Sequence, residues 1–187
     1  MIWLITGASH TGKTLLAQRL LEKYHVPYLS IDHLKMGLIR SGMLSLTPQE
    51  DERLRRVLWP VVREMMKTAL ENRQHLIVEG DYIPFAWREE FSPEMLREIH
   101  FCCLILSEGY IRRHMREVLQ YADVIERRLD DSDCTMERLI LENQRNLDGC
   151  RRRELPYCLV EDDYQREIAQ AEQILDGLEK RNPSLGK

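Results

Sequence analysis

Short apolar runs recur along the chain, and each is bounded by polar, glycine or proline residues. A run that is apolar at consecutive positions is typical of a strand buried on both faces of a parallel sheet. The segment IHFCCLIL is the strongest such signal and predicts a central strand. In all, the pattern predicts five strands, at Ile2–Thr6, Tyr28–Ile31, His75–Glu79, Ile99–Leu106 and Tyr157–Val160.

Between these runs the apolar residues recur with the period of a helix. Leu16 and Leu20, for example, fall on one face of a segment whose other faces are mostly polar. Strands that alternate with helices predict an α/β doubly wound domain. The predicted helices are 14–24, 33–41, 47–72, a short one capped by Ser92, 107–129, 135–153 and 164–180.

Local signals mark several helix ends. Thr47-Pro48-Gln49-Glu50 combines a capping box with proline in the first turn, so a long helix is predicted to start there. Pro60 lies inside that helix and predicts a kink or a break. A polar break is predicted at 130–133, and the tail from Asn182 is expected to fray.

Length and composition restrict the class of protein. The 187 residues suit one domain, and 43% hydrophobic with 31% charged residues are enough to form and cover a core. A disordered, collagenous or membrane-spanning chain is therefore excluded. The formal charge of −4 lacks the basic excess of a general nucleic-acid binder, so we expect neither nucleic acid nor a membrane as a partner.

The cysteines and the N-terminus indicate a cytoplasmic protein. The five cysteines are odd in number and show no CxxC spacing, which argues against a disulfide framework and against a zinc site. The first ten residues, MIWLITGASH, carry no positive segment followed by a long apolar stretch. Neither a signal peptide nor a transmembrane helix is therefore predicted.

One motif between the first strand and the first helix carries specific chemistry. The segment GASHTGKT matches G-x-x-x-x-G-K-[ST], the phosphate-binding loop, in the required strand–helix context. Its backbone N–H groups and the helix N-terminus attract phosphate oxygens. Lys13 is placed to neutralise the β- and γ-phosphates, and the Thr14 hydroxyl to coordinate Mg²⁺. The predicted nucleotide-binding residues are Gly7, Ala8, Ser9, His10, Thr11, Gly12, Lys13, Thr14 and Leu15.

Four features make the chain resemble the P-loop NTPase superfamily. They are this loop, an acid after the second strand, a glycine turn after the third strand and an arginine-rich segment after the fourth strand. Within it, the chain is similar to the small kinases of the nucleoside-monophosphate, shikimate and gluconate kinase type. The resemblance implies a three-layer fold with a five-stranded parallel sheet of order 2-3-1-4-5, in a single domain with a helical lid over about 108–153. It also implies ATP and Mg²⁺ as cofactors and an acceptor bound opposite the ATP.

Asp32 is the main candidate outside the loop. It follows the second strand, and ligands of such sheets bind at the carboxyl ends of the strands. It could accept the proton of an acceptor hydroxyl, contact Mg²⁺ through water, or cap a helix that begins near His33. Several hydroxyl-phosphorylating small kinases have an acid here, so the resemblance favours a hydroxyl acceptor.

Three residues at the end of the third strand and directly after it are further candidates. Gly80 would allow close backbone approach, and Asp81 or Glu79 could bind the acceptor or contact Mg²⁺ through water. The alternative is a turn with solvated acids. Adenylate kinases usually carry D-G-[FY]-P-R at this point, whereas in this chain the residue directly after Pro84 is not an arginine. That difference weakens a nucleoside-monophosphate acceptor.

Arginines complete the predicted site. Arg40 could bind an anionic group of the substrate, with Lys35 as a weaker candidate, although both could simply be solvated. Arg112 and Arg116 share a helix face, and the resemblance assigns them to the lid as catalytic residues. Their alternative role is salt bridging with neighbouring acids. Weaker lid candidates are Arg113, Arg127 and Arg128.

The sequence therefore predicts an ATP- and Mg²⁺-dependent kinase that phosphorylates a small molecule, with a hydroxyl metabolite as the favoured acceptor. A nucleoside-monophosphate kinase, a toxin-like kinase and a nucleotide-dependent ATPase switch are the alternatives. A switch would need a strong Walker B strand ending in aspartate and a sensor region, and neither is evident. The identity of the acceptor stays open, and a homodimer through the long helix after Thr47 is a further possibility.

Overall fold

Five parallel strands form one sheet in the computed structural model, which describes residues 1–122 and 135–176. The strands are β1 (Ile2–Gly7), β2 (Tyr28–Ser30), β3 (Leu76–Glu79), β4 (Ile99–Leu106) and β5 (Tyr157–Val160). Their order is β2-β3-β1-β4-β5, with every pair parallel, which confirms the predicted sheet. β1 is buried at every position because its two neighbours and both helical layers cover it.

Helices cover both faces of the sheet. The described ranges contain α1 (Lys13–Tyr24), α2 (Ile31–Arg40), α3 (Asp51–Glu71), α4 (Pro93–Leu96), α5 (Glu108–Ala122), α6 (Met136–Arg152) and α7 (Tyr164–Leu175), with a 3₁₀ turn at Trp87–Glu90. α1 and α7 pack on the face that carries Trp3 and Ile5. α2, α3 and α6 pack on the face that carries Ile2 and Leu4. The three predicted layers are therefore confirmed.

Two helix starts differ from the prediction by more than one residue. α2 begins at Ile31 rather than His33, because Ile31 is fully buried and the chain passes from β2 directly into the helix. α3 begins at Asp51 rather than at Thr47. The Glu50 carboxylate accepts a hydrogen bond from the Thr47 amide at 2.8 Å, so the expected capping pair forms but closes a turn ahead of the helix.

Pro60 does not break its helix, whereas a helix is interrupted at a position for which the sequence predicts no break. α3 continues through Pro60 without a break, since its neighbours Leu58, Trp59 and Val62 are buried and hold the helix against the sheet. α5, by contrast, is interrupted at His114, whose backbone has φ −120° and ψ 21°.

Several predictions lie outside the described residues. These are the end of the fifth helix near Leu129, the polar break at 130–133, Arg127, Arg128 and the chain beyond residue 176. Within the described ranges, no helix is both long enough and apolar enough to cross a membrane. The cytoplasmic location and the homodimer stay predictions.

A buried amide fastens α6 to the end of β4. Asn143 is 2% exposed, and its Oδ1 accepts a hydrogen bond from the Leu106 amide at 2.8 Å. Its Nδ2 donates to the Leu139 carbonyl at 2.9 Å. Both polar ends of this side chain are thus satisfied, and the last backbone amide of β4 has its partner.

We expect Asn143→Leu to lower the free energy of unfolding by about 1–3 kcal/mol, because the buried Leu106 amide loses its acceptor. Urea denaturation followed by circular dichroism measures the change. Gln144→Leu, at an exposed position of the same helix, is the matched control and should change stability by less than about 0.5 kcal/mol. Equal losses in the two variants would contradict the role assigned to Asn143.

Candidate active site

The loop from β1 to α1 is shaped by two glycines in close contact with their surroundings. Gly7 has φ +149° and Gly12 has φ +86°. A Cβ on Gly7 would lie 2.3 Å from the Leu104 carbonyl oxygen, and a Cβ on Gly12 would lie 1.7 Å from the Tyr164 hydroxyl. A side chain at either position therefore clashes as well as straining the backbone. The loop can curl back towards the N-terminus of α1 only because both residues are glycine.

Three polar contacts hold the loop in this shape. The Thr11 hydroxyl donates to the Ala8 carbonyl at 2.9 Å, and the Lys13 ammonium donates to the same oxygen at 2.8 Å. The Tyr164 hydroxyl, from the first turn of α7, donates to the Thr11 carbonyl at 3.3 Å. Tyr164 was not predicted from the sequence, because no local signal places α7 beside this loop. Side-chain hydrogen bonds to carbonyl groups of the loop therefore hold its shape.

Lys13 is buried next to acidic side chains. Its side chain is 6% exposed, and Nζ lies 2.5 Å from Asp81 Oδ1. Burial alone would lower the pKa of Lys13, but the charges of Asp81, Glu79 and Asp32 outweigh it and raise the pKa above its ordinary value. Lys13 therefore stays an ammonium. Asp32 and Asp81, which are both predicted site residues, therefore lie near Lys13, the residue predicted to bind the phosphates.

Asp32 is not the cap of α2, which corrects one of its three predicted roles. The cap position is Ser30, and Asp32 is the second residue of the helix. Its Oδ1 accepts a hydrogen bond from Lys35 Nζ at 2.5 Å. Asp32 is thus part of a side-chain ion pair at the carboxyl edge of the sheet, where its roles as base or Mg²⁺ contact stay predictions.

Gly80 packs the end of β3 against α2. Its φ is +157°, and a Cβ here would lie 2.7 Å from the Ile31 Cβ. Its carbonyl accepts a hydrogen bond from the Thr6 hydroxyl at 2.8 Å. The turn therefore brings β1, β3 and α2 together and directs Asp81 towards Lys13. Glu79, at the end of β3, is 1% exposed, so of the two acids Asp81 is the more accessible.

A tyrosine hydroxyl joins a lysine to an acid on the α2 side of the site. The Lys35 ammonium donates to the Tyr82 hydroxyl at 3.1 Å, and that hydroxyl donates to Asp51 Oδ1 at 3.1 Å. Burial and the charges of Asp32, Asp51 and Asp81 raise the pKa of Tyr82 far above its ordinary value. The hydroxyl therefore keeps its proton and acts as a donor.

The Tyr82 network reaches α6 as well. Arg138 Nη2 lies 3.8 Å from Asp51 Oδ2, so the first turn of α6 is linked to the start of α3. Sequence reasoning missed Tyr82, Asp51 and Arg138. The proximity of Tyr82 to Asp81 was a usable signal, whereas the meeting of α3 and α6 depends on the tertiary fold.

The predicted arginines do not join these contacts. Arg40 is exposed at the end of α2, and Arg116 is exposed on α5. Arg112 forms a pair with Glu108 at 2.8 Å, in which both side chains are 59% exposed, as its alternative role required. Arg113 donates to the Glu161 carbonyl at 2.6 Å and pairs with Asp162. Catalytic roles for Arg112 and Arg116 stay predictions.

The residues fit a nucleotide and its metal ion in their chemistry. The glycine cradle leaves backbone N–H groups and one buried ammonium at a helix N-terminus, which suits phosphate. In the described part of the chain no three His, Cys, Asp or Glu side chains could hold a metal together. Mg²⁺ in kinases is usually bound by few protein oxygens together with phosphates and water. Thr14, Asp32 and Asp81 are the predicted contributors.

Comparison with known proteins places this geometry in a fold family. Neither protein-family models nor curated sequences give a match. A gluconokinase from Sinorhizobium meliloti 1021 is similar at TM-score 0.53 and 16% identity, over 95% of this chain and 93% of that one. A shikimate kinase from Bacteroides thetaiotaomicron is similar at TM-score 0.53 and 18% identity, over 94% and 98%. A deoxyadenosine kinase from M. mycoides reaches TM-score 0.55 at 11% identity, over 95% and 100%.

The fold is that of the small P-loop kinases. The resemblance inferred from the sequence is confirmed at this level, together with the strand order that it implied. The similarity covers nearly the whole chain, and the role of the loop around Lys13 in binding phosphate stays a prediction.

The close contact between Gly12 and Tyr164 predicts that a substitution at Gly12 weakens ATP binding and that a second substitution at Tyr164 restores part of it. We expect Gly12→Ala to weaken ATP binding at least about tenfold, because the new Cβ meets the Tyr164 hydroxyl and forces the loop away from α7. Adding Tyr164→Phe removes that oxygen and should restore part of the affinity, while the strain of φ +86° persists. Isothermal titration with ATP measures both, with Tyr164→Phe alone as the control. No recovery in the double variant would show that the clash is not the cause.

Proposed function

We propose that this protein is an ATP- and Mg²⁺-dependent kinase that transfers the γ-phosphoryl group to a hydroxyl of a small molecule. It would work as a single domain, with the region of about 108–153 as a lid. The observation that carries the proposal is the buried Lys13 ammonium in a glycine-shaped loop, close to the carboxylates of Asp32 and Asp81. The groups proposed to bind the nucleotide and the acceptor thus lie at one edge of the sheet, where ligands of such sheets bind.

The loop supports the nucleotide half of the proposal. Lys13 would neutralise charge on the β- and γ-phosphates, and Thr14 would contribute its hydroxyl to Mg²⁺. Mg²⁺ supplies further positive charge against the phosphates. The backbone of residues 7–15 would orient the triphosphate, because its curvature is already fixed by Thr11, Lys13 and Tyr164.

Asp32 supports the part of the proposal that concerns the acceptor hydroxyl. A carboxylate at this edge can accept the proton of a hydroxyl whose oxygen attacks the γ-phosphorus, while the bond to the bridging oxygen breaks and ADP leaves. Lys35 holds this carboxylate by a charged hydrogen bond. Arg112 and Arg116 are proposed to stabilise the transferring group when the lid closes.

Charge in the same region favours a hydroxyl acceptor over a phosphate acceptor. Asp51 and Tyr82 join Asp32 and Asp81 next to α2, and Lys35 is the cation at their centre. Once Lys13 binds the nucleotide, these acids repel an acceptor that is itself a phosphate. The names of the similar structures agree with this choice, since gluconate, shikimate and deoxyadenosine all carry hydroxyls.

We expect Lys13→Ala to abolish phosphoryl transfer, because the loop then lacks its only buried cation among the described residues. The measurement is transfer of labelled γ-phosphate from ATP, with Mg²⁺, to a panel of hydroxyl metabolites, nucleoside monophosphates and a cell extract. Lys23→Ala, at the far end of α1, is the matched control and should keep full activity. Normal turnover in Lys13→Ala would contradict the assignment of this loop as a phosphate-binding loop.

Asp32→Asn should lower kcat by about 10²–10⁴ and leave the KM for ATP nearly unchanged, because the amide cannot accept the proton of the acceptor. Steady-state kinetics with an acceptor from the panel measures both constants. Asp148→Asn, on the exposed side of α6, is the control for loss of a carboxylate. An unchanged kcat in Asp32→Asn would reduce Asp32 to a structural partner of Lys35.

A further inference from the structure

The ammonium of Lys13 is already engaged in this structure. It donates to the Ala8 carbonyl at 2.8 Å and pairs with Asp81 Oδ1 at 2.5 Å. An ammonium has three hydrogens, so two of its directions point at protein oxygens. The Lys13 side chain is 6% exposed and that of Asp81 is 34% exposed, so the pair has a buried end and an accessible end.

Asp81 offers Lys13 the same kind of partner that a nucleotide would. A carboxylate and a phosphate are both oxyanions that bind an ammonium by charge-assisted hydrogen bonds. A phosphate that approached Lys13 would bring its charge close to the charge of Asp81, and like charges at such distances repel. Because the exposed end of the pair is the carboxylate, Asp81 is the group that can turn away.

We propose that Asp81 is a positioning residue that holds Lys13 in place of a phosphate, and that an arriving nucleotide must displace it. This inference rests on the proposed function, since it takes Lys13 as the ligand of the nucleotide. The pair keeps Lys13 charged and fixed near Ala8 before the nucleotide arrives, at the expense of nucleotide affinity.

The displaced carboxylate would stay next to the acceptor side. Asp81 is followed directly by Tyr82, whose hydroxyl contacts Lys35 and Asp51. The turn at Gly80 is fixed from behind by Ile31 and Thr6, so the Asp81 side chain moves more easily than its backbone. Nucleotide binding would therefore release one carboxylate towards the acceptor, which favours an order in which the nucleotide binds first.

The test is the affinity for ATP without Mg²⁺, measured by isothermal titration in EDTA. Removing the metal excludes any effect of Asp81 on Mg²⁺. We expect Asp81→Asn to bind ATP roughly fivefold to tenfold more tightly than the wild type, because the competing charge is gone. Asp81→Glu, which keeps the charge, should stay within about twofold of the wild type. A loss of local structure would lower the affinity, so a gain cannot come from damage to the fold.

Two controls and a second neutral variant complete the experiment. Glu94→Gln removes an exposed carboxylate just before β4, at the opposite edge of the sheet, and should leave the affinity unchanged. Lys13→Ala should lose ATP binding. Asp81→Ser repeats the removal of charge with a smaller side chain and should also tighten binding, which guards against a peculiarity of asparagine.

The outcomes separate this inference from the proposed function. If the wild type binds ATP, Lys13→Ala does not, and both neutral variants at Asp81 bind no more tightly than the wild type, the displacement is wrong and the kinase assignment stands. If the wild type does not bind ATP at all, both are wrong. Tighter binding in Asp81→Asn and Asp81→Ser, with Asp81→Glu near the wild type, supports the displacement.

Discussion

A buried ammonium at the start of α1 is the constraint on which the rest of the site depends. Burying a charge is costly unless it is paired and hydrogen-bonded. Lys13 meets that requirement with one backbone carbonyl and one carboxylate, so β1, β3 and their loops must end at nearly the same point. The glycines follow from this convergence, because side chains at Gly7, Gly12 and Gly80 would occupy the space where neighbouring elements meet. The acids after β3 belong to the same requirement, since without them burial would lower the pKa of Lys13.

Most of the sheet could be predicted from the sequence because each strand is encoded locally. A parallel strand between two helical layers has no solvent face, so its apolar run is continuous and easily recognised, as in Ile99–Leu106. The phosphate-binding loop is also local, since the eight consecutive positions from Gly7 to Thr14 carry its motif. The ends of helices were less predictable. Ile31 starts α2 because it packs against Gly80, some fifty residues away, and no pattern near Asp32 contains that information.

The proposed acceptor side was harder to predict than the proposed nucleotide side, because it depends on contacts between residues far apart in the sequence. The groups that are proposed to bind a triphosphate follow one another along the chain. The Tyr82 network instead combines Lys35 from α2, Asp51 from α3 and Arg138 from α6, whose meeting depends on how three helices pack. Asp51 in particular looked like the interior of a helix starting near Thr47, and only the later start of α3 brings it to the first turn, where an acid is favourable.

Under the proposed function, the separation of the nucleotide side from the acceptor side would allow one fold to serve different acceptors. The loop around Lys13 would contact only groups common to every nucleoside triphosphate, so its geometry carries no information about the acceptor. That information would then lie in the charges around Tyr82, where Asp32, Asp51 and Asp81 outnumber Lys35 and lie close enough to raise the pKa of the tyrosine. An acceptor bound there gains from offering hydroxyl or amino donors to these carboxylates, and loses from bringing a further negative charge. On the proposed function, polyols and amino alcohols would meet that condition, whereas a nucleoside monophosphate would need a cation that the described residues around Tyr82 supply only through Lys35 and the more distant Arg138.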